Sequence, residues 1–317
     1  MRVAIAGASG LVGTALAADL AADGHQVVRL VRRAARSADE IGWDPQAAAT
    51  GAAGPAVDAQ SASAPAALDP AALAGVDAVV HLSGAPIAGG RWTQSRKAEL
   101  RASRIGTTEV LVAAMTAADA GPRVLLGGSA IGWYGDTGNQ VVDEAAPSGA
   151  GFLPELVRDW EAAAGPAGAA GIRVAHLRTG VVLAAGGGML SRLALPFKLG
   201  LGAKLGSGGQ YLSWISLRDE VRAIRFILAG SSIQGPVNLT APQPVTNAEF
   251  TAALATALGR SAVLRLPAAV LNAALGEVAG ELLASARVVP RKLLDAGFTF
   301  ADPDIAAALA WVFASRA

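Results

Sequence analysis

Three glycines near the start of the chain have the spacing and setting of a phosphate-binding turn. In Ala6-Gly-Ala-Ser-Gly-Leu-Val-Gly13 they stand where a short apolar run, residues 3–6, gives way to an alanine- and leucine-rich run over residues 11–22. Strand, tight turn and helix is the context that a dinucleotide site requires. Gly7 lets the strand turn sharply, Gly10 lets the backbone come close to a pyrophosphate, and Gly13 lets the helix pack tightly on the sheet. The helix N-terminus then offers free N–H groups and a partial positive charge. The spacing is G-x-x-G-x-x-G, not the commoner G-x-G-x-x-G, and the plain alternative is a turn that binds nothing. A second strand over residues 26–31 ends in Arg32-Arg33, with no acid at positions 30–33. An acid there would hold the ribose 2′-hydroxyl of NAD, whereas arginine suits the 2′-phosphate of NADP. The expectation is NADP(H), against the alternative of two solvent-facing arginines.

The elements that must hold these groups follow along the chain. Residues 46–66 are almost wholly Ala, Gly, Pro, Ser, Gln, Thr and Asp and read as a surface loop. Asp69-Pro70 caps a short helix to residue 74. Strands are expected at 76–82, 123–126 and 173–177, with Thr179 to Leu183 continuing past a bend. Helices are expected over 94–118 and 152–164. This alternation predicts a parallel sheet with helices on both faces. In the second half, glycines from 186 to 209 mark turns around residues 195–199. Ser216-Leu-Arg-Asp219 and Thr246-Asn-Ala-Glu249 match capping boxes. Residues 267–284 read as one apolar helical stretch, and residues 290–317 as two short helices around 297–300.

The whole-chain numbers set the class. The chain has 317 residues, 52% of them hydrophobic and 16% charged, enough for one large or two modest globular domains. A net charge of +1 gives no reason to expect nucleic acid or an anionic membrane as the main partner. The absence of cysteine excludes disulfides, thiolate metal sites and a cysteine nucleophile. The three histidines, His25, His81 and His176, are far apart and predict no metal site. With a strand from residue 3, no signal peptide is expected, and no apolar window is long enough for a transmembrane helix. The expected location is the cytoplasm. Oligomerisation is open.

Several stretches together resemble the extended short-chain dehydrogenase/reductases, and within them an atypical, epimerase-like family with a C-terminal module of unassigned function. They are residues 6–13, Val79-Val-His-Leu-Ser-Gly84, Ser103-Arg-Ile-Gly-Thr107, Ser129-Ala-Ile-Gly-Trp-Tyr-Gly135 and Arg178-Thr-Gly-Val-Val-Leu183. Further on they are residues 195–202, 213–215 and 246–250. The resemblance covers nearly the whole chain except residues 45–66. It implies an NADP-binding Rossmann-type α/β domain over 1–184, with part of 210–240 returning to it. Residues 185–317 would form a smaller α/β substrate lobe and C-terminal module. It also implies that Gly7, Ser9, Gly10, Leu11, Val12, Gly13, Arg32, Arg33, Leu82, Ser83, Gly84, Glu99, Arg104 and Val181 contact the cofactor. Ser129 would hydrogen-bond a substrate hydroxyl or carbonyl. The local alternatives are ordinary: a strand-to-loop turn at 82–84, a solvated basic helix face at Lys97, Arg101 and Arg104, a core Val181 and a turn serine at 129.

One departure bears directly on activity. The superfamily's acid–base group is a tyrosine activated by the charge of a lysine four residues later. Aligning Glu161 with the downstream acid of that helix puts Leu153 and Val157 at those positions. The only tyrosines are Tyr134 and Tyr211. Tyr134, five residues after Ser129, is the candidate replacement. With no lysine close in sequence its pKa is expected near about 10, poor for a base but compatible with proton donation. Asp136, Glu155, Arg158 and Asp159 are further candidates. Two readings remain open. One is an epimerase- or reductase-like enzyme that transfers hydride on a small polar substrate, such as a sugar nucleotide or carbonyl compound. The other is a catalytically silent NADP(H)-binding or redox-responsive protein.

Overall fold

The computed structural model describes residues 1–46, 67–230 and 232–314. Apart from Gln46, the expected loop of residues 46–66 lies outside the described residues. The organising strand is Arg2–Ala6, whose last four residues are fully buried. An apolar run buried on both faces belongs in the middle of a parallel sheet, and this strand pairs in parallel with Gln26–Val31 on one side and Ala78–His81 on the other. The sheet has seven parallel strands flanked by helices, in the order Gly235–Leu239, Arg173–Thr179, Val124–Ala130, Ala78–His81, Arg2–Ala6, Gln26–Val31 and Glu40–Gly42. This is the Rossmann-like α/β architecture that the alternation of elements predicts.

Compact packing divides the chain into two units. The first comprises residues 1–87, 94–128 and 159–176; the second comprises 88–93, 129–158 and 177–317. In the first, helix Leu11–Ala22 buries Gly13, Leu16, Ala17 and Leu20, the spacing of one helical face. Its core joins Val28, Leu30, Trp43, Leu111, Met115 and Leu125. In the second, Leu183, Leu190, Trp214, Phe250, Leu254 and Leu309 share a core. Short two-stranded ribbons decorate it, including Ala203–Leu205 with Leu264–Leu266 and Val141–Val142 with Arg287–Val288.

Four local expectations change. The fifth strand runs to Ala130, so Ser129 lies within it and not in a following turn. Gly128 serves packing here: a Cβ on it would come within 2.8 Å of the His81 carbonyl and 3.0 Å of the Trp160 ring. Residues 188–198 form a helix, with Pro196 inside it, where turns were expected. The stretch 267–284 is two helices, Ala268–Leu275 and Glu277–Leu283, because Gly276 between them adopts φ 60°. The helix over 94–118 ends at Ala117 and contains one wider π-helical turn at Ala102–Gly106.

The two capping motifs also resolve differently. Thr246 and Glu249 form the reciprocal box, with Glu249 N donating to Thr246 Oγ1 (3.2 Å) and Thr246 N to Glu249 Oε2 (2.7 Å). At Ser216 only half forms. Asp219 N donates to Ser216 Oγ (3.1 Å), but the Asp219 carboxylate turns to the C-terminal segment and accepts from Ala301 N (2.9 Å) and Asp302 N (2.7 Å), as well as from Arg222 Nη1 (2.6 Å). Asp302 in return accepts from Ser216 Oγ (2.7 Å) and from Arg218. Asp219 and Asp302 are 0% and 1% exposed. Asp219→Ala would strand the buried Asp302 N–H, release the part-buried Ala301 N–H and unpair Arg222, and we expect it to lower unfolding free energy by about 3 kcal/mol, read from urea denaturation.

Candidate functional site

In the first unit the glycine turn is built as its sequence requires. Gly7 has φ 86°, and a Cβ there would lie 2.8 Å from the Leu82 carbonyl carbon and oxygen. Its side-chain space is taken by the Leu82–Ser83 peptide, which brings the ends of two neighbouring strands together. Gly10 N donates to Gly7 O (3.0 Å), and a Cβ on Gly13 would stand 2.2 Å from that same carbonyl. Gly10 caps helix Leu11–Ala22 with no side-chain cap and no acid in the first turn. The helix therefore keeps N–H donors and its positive end for an anion. Ser9 and Gly10 are exposed beside them, and Leu11 and Val12 are half-buried.

The strand-end arginines have separate fates. Arg33 donates to both oxygens of Glu40 (2.7 and 2.6 Å), which also accepts from Arg36 N (2.8 Å). These bonds hold the Glu40 carboxyl down at about 2. The acid missing from positions 30–33 is thus supplied by the adjacent strand, and it neutralises Arg33. Arg32 stays exposed.

The loop after strand Ala78–His81 carries Leu82, Ser83 and Gly84. Gly84 lets the Arg104 guanidinium come close, since a Cβ would lie 3.1 Å from its Cζ. Arg104, on the π-helical turn, is buried. It donates to Ala85 O (3.0 Å) and sits 5.2 Å over the Trp160 ring. Burial and nearby Arg96 lower its pKa to about 10. Its other bonds, to Leu100 O and Ser103 Oγ, are also to uncharged oxygens. Glu99 faces Arg96 in an exposed ion pair. His81 is fully buried and held neutral, its pKa lowered to about 4 chiefly by desolvation.

In the second unit, Ser129 is buried at its strand's end. Tyr134 is 4% exposed and committed at both lone-pair and proton. Its hydroxyl donates to Asn238 Oδ1 (2.7 Å) and accepts from Arg178 Nη1 (3.1 Å). Burial raises its pKa above the ordinary value. Arg178 stacks 3.9 Å over the Trp133 ring. Behind them, Glu144 accepts from Asn238 N (2.9 Å) and Lys292 N (3.3 Å), and burial raises its pKa. Arg178 lay in a recognised motif, but no local pattern announced Asn238 or Glu144 as its neighbours. Leu153 and Val157 pack against the bare face of Gly132, with approaches of 3.4 and 3.7 Å for a Cβ there. Hydrocarbon fills the helix positions aligned with the tyrosine and lysine. Of the other candidates, Asp136 Oδ1 accepts from Gly138 N and Ser285 N. Asp159 pairs with Arg101 in the first unit, and Glu155 and Arg158 are exposed.

Val181 is half-buried at the start of strand Val181–Ala184, where its N–H donates to Ser213 O (2.9 Å). Two residues earlier, Thr179 Oγ1 is hydrogen-bonded to Glu220 Oε1 at 2.9 Å. Glu220 is 1% exposed and its Oε2 has no partner among the described residues. Desolvation pushes its pKa up to about 8. No sequence signal marked it, because a glutamate in a first helical turn is ordinary. Among the described residues, no group of three or more His, Asp or Glu side chains could hold a metal ion.

The glycine cradle, uncapped helix start and parallel sheet define a Rossmann-type dinucleotide-binding protein. The comparisons narrow the class. Residues 3–239 match the NAD dependent epimerase/dehydratase family, and residues 266–312 match a domain of unknown function. The chain belongs to the epimerase/dehydratase family. It is 49% identical over 310 residues to Epimerase family protein Mb2239 of Mycobacterium bovis, covering 98% of this chain and 96% of that one. It is 37% identical to Epimerase family protein SDR39U1 of Bos taurus, covering 99% and 100%. The crystal structure of human SDR39U1 (isoform 2) with NADPH superposes with a TM-score of 0.85 at 34% identity, over 98% of this chain and 99% of that one.

Two substitutions test the geometry. Gly13→Ala drives a methyl into the Gly7 carbonyl and should destabilise the protein by about 1–3 kcal/mol in urea denaturation. Glu220→Gln tests the buried acid. The unfolded chain releases this proton near 4.5, whereas the folded chain holds it up to about 8. Its contribution to stability is therefore full below about 4.5. It declines by about 1.4 kcal/mol per pH unit as pH rises to about 8, then levels off. The glutamine variant lacks this decline, so its urea midpoint should gain on the wild type between about pH 5 and about pH 8.

Proposed function

We propose that this chain binds NADP(H) and acts as an epimerase- or reductase-like oxidoreductase of the cytoplasm, on a small polar substrate such as a sugar nucleotide or a carbonyl compound. The observation that carries the reading is the Gly7–Gly10–Gly13 cradle: a Cβ at Gly7 or Gly13 would strike backbone, and the helix start beside it has no side-chain cap. These residues fit a dinucleotide pyrophosphate. Ser9, Leu11 and Val12 would line the same turn, and Leu82, Ser83 and Gly84 the neighbouring strand end. Arg104, buried and hydrogen-bonded among the described residues to the uncharged oxygens of Leu100, Ser103 and Ala85, would add a fixed positive charge. Glu99 would act at the exposed rim of the same helix, and Val181 beside the nicotinamide. The presence of NADPH in the solved human relative supports the cofactor choice. When bound, the nicotinamide supplies hydride transfer.

The chain's own groups would orient the substrate and manage its proton. Ser129 would hydrogen-bond the hydroxyl or carbonyl at the reacting carbon. Tyr134 would reach a proton-donor role only by giving up its bond to Asn238, and its raised pKa disfavours it as a base. A second reading is a cofactor-binding protein without ordinary turnover. Leu153 and Val157 at the proton-transfer positions favour it. Both readings share the cofactor half, and Arg32 would be its discriminator, since Glu40 already neutralises Arg33.

Parallel fluorescence titrations with NADPH and NADH test this. The wild type should prefer NADPH. Arg32→Asp should weaken NADPH about tenfold or more while sparing or improving NADH. Unchanged affinities would remove Arg32 from that role, and failure of both cofactors to bind the wild type would reject the cofactor reading itself.

A further inference from the structure

One corner of the second unit joins exposed aliphatic side chains to a one-signed charge. Helix Gly188–Lys198 and the turn after it present Leu195, Leu199 and Leu201, which are 63%, 66% and 58% exposed. The segment 260–264 runs beside them. Arg260 Nε donates to Lys198 O (3.0 Å), a Cβ on Gly202 would lie 3.1 Å from Ala262 Cβ, and Ala203 pairs with Leu264. That segment adds Val263, 86% exposed, and Leu264. Large aliphatic side chains rarely cluster in the open without a partner.

The charges among them are all positive. No acidic residue occurs between Glu161 and Asp219, or between Glu249 and Glu277. Arg192, Lys198, Lys204, Arg260 and Arg265 fall in these stretches. Arg192, Arg260 and Arg265 donate to backbone carbonyls of Ala88, Lys198 and Gly206. None of the five pairs with a carboxylate among the described residues. The net charge of +1 conceals this asymmetry, because the acids lie elsewhere in the chain.

We propose that this corner docks the protein peripherally on an anionic lipid surface, with the leucines and Val263 entering the headgroup boundary and the arginines and lysines meeting lipid phosphates. Leucines next to long cationic side chains are the composition of interfacial membrane segments. The arrangement favours lipid over an acidic protein. The aliphatic groups protrude from a helix end and a two-stranded ribbon, and a lipid surface requires no matching shape. The net charge of +1, from which no membrane partner was expected, is an average that this corner departs from.

Cosedimentation of the full-length protein with vesicles tests it. One set is phosphatidylcholine alone, the other phosphatidylcholine mixed with phosphatidylglycerol. The protein should bind the anionic vesicles and bind the neutral ones about tenfold more weakly or worse. Leu199→Ser with Leu201→Ser, and separately Lys198→Glu with Arg260→Glu, should each reduce anionic binding by about tenfold. NADPH titration and thermal unfolding of each variant establish that it remains folded. Absence of binding to anionic vesicles, or equal binding to both sets, would overturn the proposal. So would light scattering that shows a dimer abolished by the leucine substitutions, since a second copy would then be what covers this surface.

Discussion

The approach of backbone to backbone at Gly7 and Gly13 is the constraint on which the first unit depends. The Gly7 carbonyl is hemmed in by Gly10 N on one side and the bare α-carbon of Gly13 on the other. The Leu82–Ser83 peptide occupies the space a Gly7 side chain would fill. These contacts seat helix Leu11–Ala22 on the sheet and set the ends of two parallel strands at one level. A similar economy recurs at Gly84 under Arg104, and at Gly128 between the His81 carbonyl and Trp160. Side-chain deletion at these points lets large or charged groups lie flat against main chain.

Against this close-packed geometry stands the hydrocarbon at Leu153 and Val157. Proton transfer needs a titratable group, and these positions can only pack. The polar groups nearby have been drawn into bonding with one another. Tyr134, Arg178, Asn238 and Glu144 form a buried chain of donors and acceptors whose energetic return is rigidity. A phenol held from both sides is a good strut and a poor base.

Much of the architecture was legible in the sequence because it is written locally. The glycine turn, the strand–helix alternation and the Thr246–Glu249 box each depend on residues within a few positions of one another. What was hidden depends on partners distant in sequence. Glu40 reaches Arg33 from a different strand, so an acid-free strand end gave no warning of a neutralised arginine. Glu220 acquires its raised pKa from burial alone, which no motif encodes. At Ser216 the local pattern was present, but Asp219 found a better use in the backbone of residues 301–302. The strand expected at 123–126 continues past Gly128, whose role is packing; in one dimension that role looks like a turn.

The exchange between Asp219 and Asp302 also has a bearing on how the chain is made. The start of helix Leu217–Ala229 is completed by residues more than eighty positions downstream. The glycines of the first turn lie within seven residues of one another and meet as soon as that stretch exists. Before residues 301–302 arrive, the Asp219 carboxylate has only its helix neighbour Arg222 (2.6 Å) to answer it. The segment that carries those residues is thus a closing clasp: synthesis order and folding order are coupled across more than eighty positions.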